Sequence, residues 1–372
     1  MEEIKRYFSE EIISNRINNV DKKNIQEKMI FSPYRVEIQP TTFCNRVCAF
    51  CSHSIRNQTG NEIPEKIVLE IIDQLHKKSC KHVSFSGGGE PFEWHKGDIG
   101  KVIKYAAEKM NVTITTNGDG FWNDFEDKPQ NLQIAKYCSN IIINTPEVDD
   151  RRYKGFVQGK CSWSKTQKII HALQEEINQN TYQCDICCVV VVSKLNYHFL
   201  CEIDCELQKL GVDRVYYKLI KTFEDNDMHE LAVSNEELIH VRNIIPATSS
   251  NWLKTFLNSV ASIEKYYSQK CWSNEIGMNA IIDPNGDVFI CTPTVGVKNY
   301  VLGNILNNDF MDLWETPERI DLIDCLNYAH CNGKCPKECR LNSHNTMIEN
   351  YLFNKKDSER IIMNAGIDDI IR

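Results

Sequence analysis

Hydrophobic and polar positions follow two periods along this chain. From residue 35 onward, short apolar stretches of strand character alternate with segments in which apolar residues recur at helical spacing, as they do between Ile67 and Leu75. Residues 185–193 are apolar on both faces, which is typical of a parallel strand covered on both sides. The pattern predicts strands at 35–40, 82–86, 111–116, 140–145, 185–193 and 214–219, and helices at 64–78, 98–110, 129–138, 163–177 and 197–210.

This alternation predicts six strand–helix units, which we expect to be joined by right-handed crossovers. Six units are too few for a closed eight-stranded barrel, so the fold class is α/β with a partial (β/α)6 barrel and a smaller cysteine-rich α+β region after it. The predicted division is a helical extension at 1–30, the core at 31–230, a helical linker at 231–265, the cysteine-rich domain at 266–345 and a helical tail at 346–372.

Composition narrows the function classes. The chain has 372 residues, a net charge of −8 and no basic blocks, which argues against nucleic acid as a partner. Neither a signal peptide nor a bilayer-spanning apolar run is present in the sequence, so we expect a cytoplasmic protein without a membrane partner. Seventeen cysteines in such a chain favour metal ligation and reduced thiols over disulfides.

Three closely spaced cysteines are the strongest chemical signal. Cys44, Cys48 and Cys51 directly follow the predicted strand 35–40, and their spacing fits a loop wrapped around a metal group. Soft thiolates select iron–sulfur clusters, zinc or copper(I). Three thiolates leave a four-iron cluster one ligand short, which opens one iron to substrate or cofactor. A structural zinc site is the alternative, but it needs four ligands, and His53 lies too near to be the fourth.

A glycine-rich run supplies a second motif. Ser86-Gly87-Gly88-Gly89-Glu90-Pro91 follows the strand-like residues 82–85, about 35 residues after the cysteines. Together the two motifs resemble those of the radical S-adenosylmethionine (SAM) enzymes, in which Cys-x3-Cys-x-aromatic-Cys precedes Gly-Gly-Glu-Pro. Here Phe50 occupies the aromatic position. The resemblance implies that SAM binds a [4Fe–4S] cluster and that its reductive cleavage gives methionine and a 5′-deoxyadenosyl radical, which abstracts hydrogen from a substrate.

The same resemblance assigns candidate cofactor contacts on the carboxyl edge of the barrel. Glycines allow the backbone to approach SAM closely, and Glu90 is placed to accept from its ammonium group. Polar residues at strand ends are expected to contact its ribose or carboxylate, the alternative being turn or cap roles. The cofactor-binding candidates are Phe50, Gly88, Gly89, Glu90, Pro91, Asn117, Asn144 and Ser193.

A second cysteine set begins at residue 271. A hairpin is predicted from Met278 to Cys291, with Asn285-Gly286 as a two-residue turn. This segment resembles the SPASM/Twitch type of auxiliary-cluster domain, but Leu322 stands where the full pattern carries another cysteine. The resemblance implies one auxiliary [4Fe–4S] cluster, and a zinc site is the alternative. Its predicted ligands are Cys271, Cys291, Cys335 and Cys339, with Cys331 as a possible replacement for Cys339 and Cys325 unassigned.

Substrate and reaction type stay open between several hypotheses. Only about 35 residues precede the first strand, so we expect no leader-binding domain, which favours a small sugar- or aminocyclitol-like metabolite undergoing dehydrogenation or epimerisation. One alternative is a peptide- or protein-modifying maturase, and another is a non-catalytic iron–sulfur or zinc module. The expected partner is an electron donor such as flavodoxin or ferredoxin. Candidate catalytic residues are Cys161, Cys187, Cys188 and Lys218.

Overall fold

Six parallel strands form the centre of the computed structural model, as predicted. The structure describes residues 31–51, 60–158, 162–220, 227–260 and 270–331, together with Leu341, Asn345, Ile348 and Glu349. Each of the six strands pairs with the one that precedes or follows it among the six. One further strand lies on the outer side of the first. The six strands are β1 Arg35–Ile38, β2 His82–Phe85, β3 Asn111–Thr116, β4 Asn140–Asn144, β5 Asp185–Val192 and β6 Arg214–Leu219.

The auxiliary segment continues this same sheet instead of building a separate one. Strand β7 (Asn279–Ile282) pairs in parallel with β1, so that Ile38 lies opposite Ile282. Strands β8 (Asp287–Phe289) and β9 (Gly303–Asn304) follow in antiparallel pairing. The sheet therefore has nine strands in the order β6-β5-β4-β3-β2-β1-β7-β8-β9 among the described residues.

Helices connect the parallel strands and cover one face of the sheet. Their bounds are α1 Glu65–Lys77, α2 Ile99–Ala107, α3 Asp150–Phe156, α4 Trp163–Asn180, α5 Leu200–Leu210, α6 Asn235–Ile244, α7 Asn251–Val260, α8 Trp272–Glu275, α9 Phe310–Trp314 and α10 Pro317–Cys331. Helix α7 lies in the predicted linker and packs on the core through Phe256, whose ring is 5.7 Å from that of Tyr217. No helix in the described stretches is both long and apolar enough to cross a bilayer.

The predicted helix at 129–138 is wrong. The chain forms a short 3-10 helix at Leu132–Lys136, and Lys128–Pro129 pairs in antiparallel fashion with Trp122–Asn123. Asn131 enters the 3-10 helix in the left-handed region, at φ 57°, and its side-chain amide donates to the Gly120 carbonyl oxygen at 2.8 Å. This local hydrogen bonding competes with an α-helical start, which the apolar pattern alone does not reveal.

The two faces of the sheet differ in chemistry. Along β1, Val36 and Ile38 pack against the helices in the main hydrophobic core. On the opposite face, which we call the inner face, buried polar side chains dominate near the amino ends of the strands, among them Arg35, Glu37 and Ser84. Because strand residues alternate between faces, this polar row follows directly from the sequence. The inner face also carries small apolar clusters, one of which is formed by Ile142, Cys187, Val189 and Tyr216.

Candidate active site

The cysteine loop leaves the carboxyl end of β1, and its backbone is hydrogen-bonded to residues 156–158. Val47–Cys48 pairs in antiparallel fashion with Val157–Gln158, and the Ala49 amide donates to the Phe156 carbonyl oxygen at 2.9 Å. Phe50 is buried, with its ring centroid 6.1 Å from that of Phe156. The aromatic position of the motif therefore anchors the loop to the end of α3 by packing.

Arg46, inside this loop, is a residue that the sequence reasoning missed. Its guanidinium donates to both carboxylate oxygens of Asp119, at 2.8 and 2.7 Å, and to the Tyr153 hydroxyl at 3.2 Å. The Arg46 side chain is 2% exposed and that of Asp119 19%. Such a fork-shaped pair is strong and geometrically specific, so Arg46 ties the loop to the segment after β3 and to α3.

The glycine turn packs against the approach to the cysteine loop. The Gly89 and Glu90 amides donate to the Thr41 and Phe43 carbonyl oxygens, at 2.7 and 2.8 Å. A Cβ on Gly89 would overlap the Phe43 carbonyl group, and one on Gly88 would lie 2.5 Å from the Thr41 carbonyl oxygen. These two glycines are therefore needed for contact between the two motifs, in addition to the predicted approach of the backbone to SAM.

Glu90 lies at the centre of this contact and is almost fully buried. One of its carboxylate oxygens accepts from the Thr116 hydroxyl at 2.6 Å and the Phe92 amide at 3.4 Å, and the other accepts from the Asn117 amide at 2.7 Å. Burial raises the pKa of Glu90 to about 7, against the lowering effect of these donors. Pro91 follows as the first residue of a 3-10 helix that Glu90 caps.

Asn117, Asn144 and Ser193, the predicted cofactor contacts at the strand ends, differ in whether their side-chain polar atoms already have hydrogen-bond partners. The Asn117 side chain donates to the Asn45 side-chain oxygen at 2.7 Å, which joins the end of β3 to the cysteine loop. The Asn144 side-chain oxygen is buried and has no hydrogen-bond partner in the described structure, so it is available to a ligand. The Ser193 hydroxyl accepts from the Leu195 amide at 3.3 Å and serves a turn.

The candidate catalytic residues fall on different faces of β5 and β6. Cys187 belongs to the inner-face cluster, whereas Cys188 is buried in the main core on the helix side, where burial raises its pKa to about 12. Lys218 is partly exposed and alternates with the buried core residues Tyr217 and Val215, so it lies on the inner face. Cys161 lies outside the described residues.

Two of the predicted auxiliary ligands are described, and both are buried. Cys271 precedes α8, its amide donates to the Asn327 side-chain oxygen at 2.9 Å, and its sulfur accepts from the Asn345 side-chain amide at 3.5 Å. Cys291 follows β8, near the amino edge of the sheet. The side chains of Cys331, Cys335 and Cys339 lie outside the described residues, and Cys325 is exposed on α10.

The donor sets fit the groups that the sequence implies. Across the described residues, no three His, Cys, Asp or Glu side chains converge on a single metal ion. A four-iron cluster does not require that convergence, because each thiolate binds a different iron. The loop of Cys44, Cys48 and Cys51 follows the carboxyl end of β1, Glu90 follows that of β2, and Asn144 ends β4, so thiolates and polar ligand acceptors share one edge of the sheet.

Comparisons with known proteins agree with this geometry. The model of the radical SAM superfamily matches residues 38–189, and that of the SPASM iron–sulfur cluster-binding domain matches residues 271–340. Mycofactocin maturase MftC of Mycolicibacterium smegmatis is 22% identical over 336 residues, covering 83% of this chain and 79% of that protein.

Two solved structures share the fold. Streptococcus suis SuiB bound to SAM superposes with a TM-score of 0.59 at 20% identity, covering 79% of this chain and 68% of that one. The enzyme anSMEcpe with bound SAM gives a TM-score of 0.59 at 14% identity, covering 90% of this chain and 99% of that one. SuiB has also been solved with its precursor peptide SuiA, and anSMEcpe with a Kp18Cys peptide.

Fold and site together define an iron–sulfur enzyme with a parallel α/β core. The two family models cover more than half of the chain, in the order and positions that the two cysteine sets predict. The protein belongs to the radical SAM superfamily and carries a C-terminal SPASM domain. Its cofactors are [4Fe–4S] clusters and SAM, as the sequence motifs predicted.

Proposed function

We propose that this protein modifies a peptide or protein substrate by radical SAM chemistry. The observation that carries the proposal is the match to a maturase over 83% of the chain, in both the core and the auxiliary region. Two proteins of the same fold have been solved with peptides bound. This evidence favours the maturase hypothesis over the small-metabolite hypothesis, which depended on the short segment before β1.

The rim around the cysteine loop supports an extended substrate. Phe43 and Val47, both within the loop region, are 40% and 62% exposed, and Leu195, just after β5, is 40% exposed. These are large apolar side chains at the carboxyl edge of the sheet, where ligands of parallel α/β folds bind. A peptide lying across this rim would cover them, whereas a small metabolite inside the barrel would leave them in water.

The chain's own residues supply binding and positioning. With SAM bound, the reduced core cluster of this superfamily provides the radical that abstracts hydrogen from the substrate. Cys44, Cys48 and Cys51 would hold that cluster, and Arg46 fixes their loop through Asp119. The proposed SAM contacts are the carboxylate of Glu90 and the Asn144 oxygen.

The reaction type is proposed as oxidation or epimerisation, and Cys187 is the described cysteine best placed for hydrogen return. An epimerase needs a hydrogen donor on the inner face, and Cys187 lies there while Cys188 does not. Oxidation would instead pass an electron to the auxiliary cluster. An electron donor such as flavodoxin or ferredoxin and a cytoplasmic location remain part of the proposal.

The test is turnover with defined substrates. Anaerobically reconstituted, reduced protein is incubated with SAM and either short peptides encoded by neighbouring genes or a panel of sugars, aminocyclitols and nucleotides. We expect 5′-deoxyadenosine formation to be stimulated by the peptides and not by the small metabolites, and we expect the peptides to change in mass. The control is Cys44→Ala, which should abolish both signals. Stimulation by a small metabolite, with every peptide unchanged, would contradict the proposal.

A further inference from the structure

The tip of the auxiliary hairpin lies beside the glycine turn and the approach to the cysteine loop, the two motifs to which SAM binding is assigned. The tip consists of residues 283–286, which join β7 to β8. Because β7 runs parallel to β1, its tip emerges at the carboxyl edge, where β1 leads into the cysteine loop. The Gln39 amide donates to the Ile282 carbonyl oxygen at 2.9 Å, which fixes the two strands together up to this edge.

Pro284 of this tip packs against the glycine turn. Gly88 has φ 69°, and a Cβ built on it would lie 2.7 Å from the Pro284 ring and 2.5 Å from the Thr41 carbonyl oxygen. Gly88 is therefore held between the hairpin tip on one side and the approach to the cysteine loop on the other. Displacement of Pro284 would remove one wall of the turn that leads to Glu90.

Asn285 makes a second contact, to the approach to the cysteine loop. Its side-chain oxygen accepts a hydrogen bond from the Asn61 side-chain amide. The Asn61 carbonyl oxygen in turn accepts from the Thr42 amide at 3.0 Å and from the Thr42 hydroxyl at 3.2 Å. Thr42 lies two residues before Cys44, so the tip reaches both motifs of the SAM site.

The tip is held in shape by hydrogen bonds within the hairpin. The Asp283 side chain accepts from the amides of Asn285 and Asp287, at 2.9 and 3.0 Å, and the Gly286 amide closes the turn onto the Asp283 carbonyl oxygen at 2.9 Å. The Asn304 side chain donates to the Asn285 carbonyl oxygen at 2.9 Å. Gly286, at φ 86°, completes a four-residue turn in which proline presets the second position.

We propose that Pro284 and Asn285 are positioning residues for SAM: the auxiliary hairpin forms one wall of the SAM site by holding the Gly88 turn and the start of the cysteine loop. Neither residue needs to touch SAM. The role concerns the core site alone, so it does not depend on whether the substrate is a peptide. It gives the auxiliary region a task at the core site that is independent of its cluster.

The test compares SAM affinity among full-length, anaerobically reconstituted variants by calorimetry. Pro284→Ala and Asn285→Ala should each raise the Kd for SAM about threefold to tenfold, a loss of the size expected for one hydrogen bond or packing contact. Iron content should match that of the unmodified protein. Val297→Ala is the matched control, since Val297 is an exposed apolar residue of the same region, and it should leave the Kd unchanged.

Two further measurements separate positioning from general damage. Asn61→Ala should weaken SAM binding as Asn285→Ala does, and the double variant should be no weaker than either single one. In SAM cleavage by the reduced protein, the KM for SAM should rise while kcat is retained. Unchanged SAM affinity in both tip variants would overturn the proposal, and so would a loss of core-cluster iron that parallels the loss of affinity.

Discussion

Replacement of Arg46 should open the cysteine loop. Arg46→Ala removes three hydrogen bonds, two of them to the Asp119 carboxylate, and leaves that carboxylate in a mostly buried place without its partner. The loop has no regular secondary structure beyond the two-residue pairing of Val47–Cys48, so its order depends on the Arg46–Asp119 pair together with the packing of Phe50 and the hydrogen bond to Asn45.

The magnitude follows from the burial of the pair. Removal of one partner of a buried, hydrogen-bonded ion pair costs about 3–5 kcal/mol. Since every 1.4 kcal/mol is a factor of ten, the equilibrium constant for loop opening should rise by about two to three and a half powers of ten. Arg46→Lys keeps the positive charge but loses the two parallel hydrogen bonds of the guanidinium. Its equilibrium constant for loop opening should lie between those of the unmodified protein and Arg46→Ala, because lysine cannot pair with both carboxylate oxygens in a fixed geometry.

Hydrogen exchange measured by mass spectrometry reports such local opening directly. The informative peptide covers residues 46–51, in which the Ala49 and Cys51 amides are hydrogen-bonded within the protein. Exchange should accelerate in Arg46→Ala and should do so less in Arg46→Lys. The control is Arg151→Ala, an exposed arginine on the same helix as Tyr153. Equal protection of this peptide from exchange in Arg46→Ala and in the unmodified protein would show that the Arg46–Asp119 pair does not hold the loop closed.

Four shorter predictions concern the clusters and the turn. The triple alanine variant of the three loop cysteines should keep about four of about eight irons in iron analysis, and full retention would remove the core assignment. Glu90→Gln should weaken SAM binding by about 1.5–3 kcal/mol in calorimetry, because it removes the acceptor charge and sets an NH2 against donors; equal affinity would contradict this. Gly89→Ala should lower the thermal midpoint of unfolding, because its Cβ would overlap the Phe43 carbonyl group, and an unchanged midpoint would show that the turn can relax. Cys291→Ala should still cleave SAM, and an unchanged ratio of product to 5′-deoxyadenosine would rule out an electron-acceptor role for the auxiliary cluster.

The local pattern was enough to predict the elements that depend on neighbouring residues. Apolar runs and helical spacing located the six strands β1 to β6 of the core, and the hairpin was visible from its turn residues. The turn differs from the prediction in its central residues: Asn285-Gly286 is predicted as the central pair, whereas in the structure Pro284 and Asn285 are central and Gly286 follows them at φ 86°. Proline fixes φ at negative values, so Pro284 favours the four-residue turn that the structure contains.

Features that depend on distant pairing could not be predicted. Arg46 and Asp119 are 73 positions apart, and nothing in either local sequence indicates that they meet. The pairing of β1 with β7 joins Arg35 to Asn279 across most of the chain. Such contacts are set by how the sheet closes, and the hydrophobic period of a single strand carries no information about its partner.

The shared sheet constrains how the two cysteine sets communicate. Cys44, Cys48 and Cys51 follow the carboxyl end of β1, whereas Cys271 precedes β7 and Cys291 follows β8, so the loop cysteines and these two described cysteines occupy opposite edges. Ile281 lies opposite Phe289, and continuing this register places Cys291 beside Asn279, which pairs with Arg35. From Arg35 to Thr41 the chain advances roughly 20 Å at about 3.3 Å per residue.

The two edges are therefore separated by the length of the inner face. That face is lined along β1 by Arg35, Glu37 and Gln39, which are buried and hydrogen-bonded to one another. A substrate group that enters the barrel from the rim would meet this polar row before it reached the auxiliary cysteines. Within this row, the Glu37 carboxylate accepts from both the Arg35 guanidinium and the Gln39 side-chain amide, so its charge is paired on the inner face.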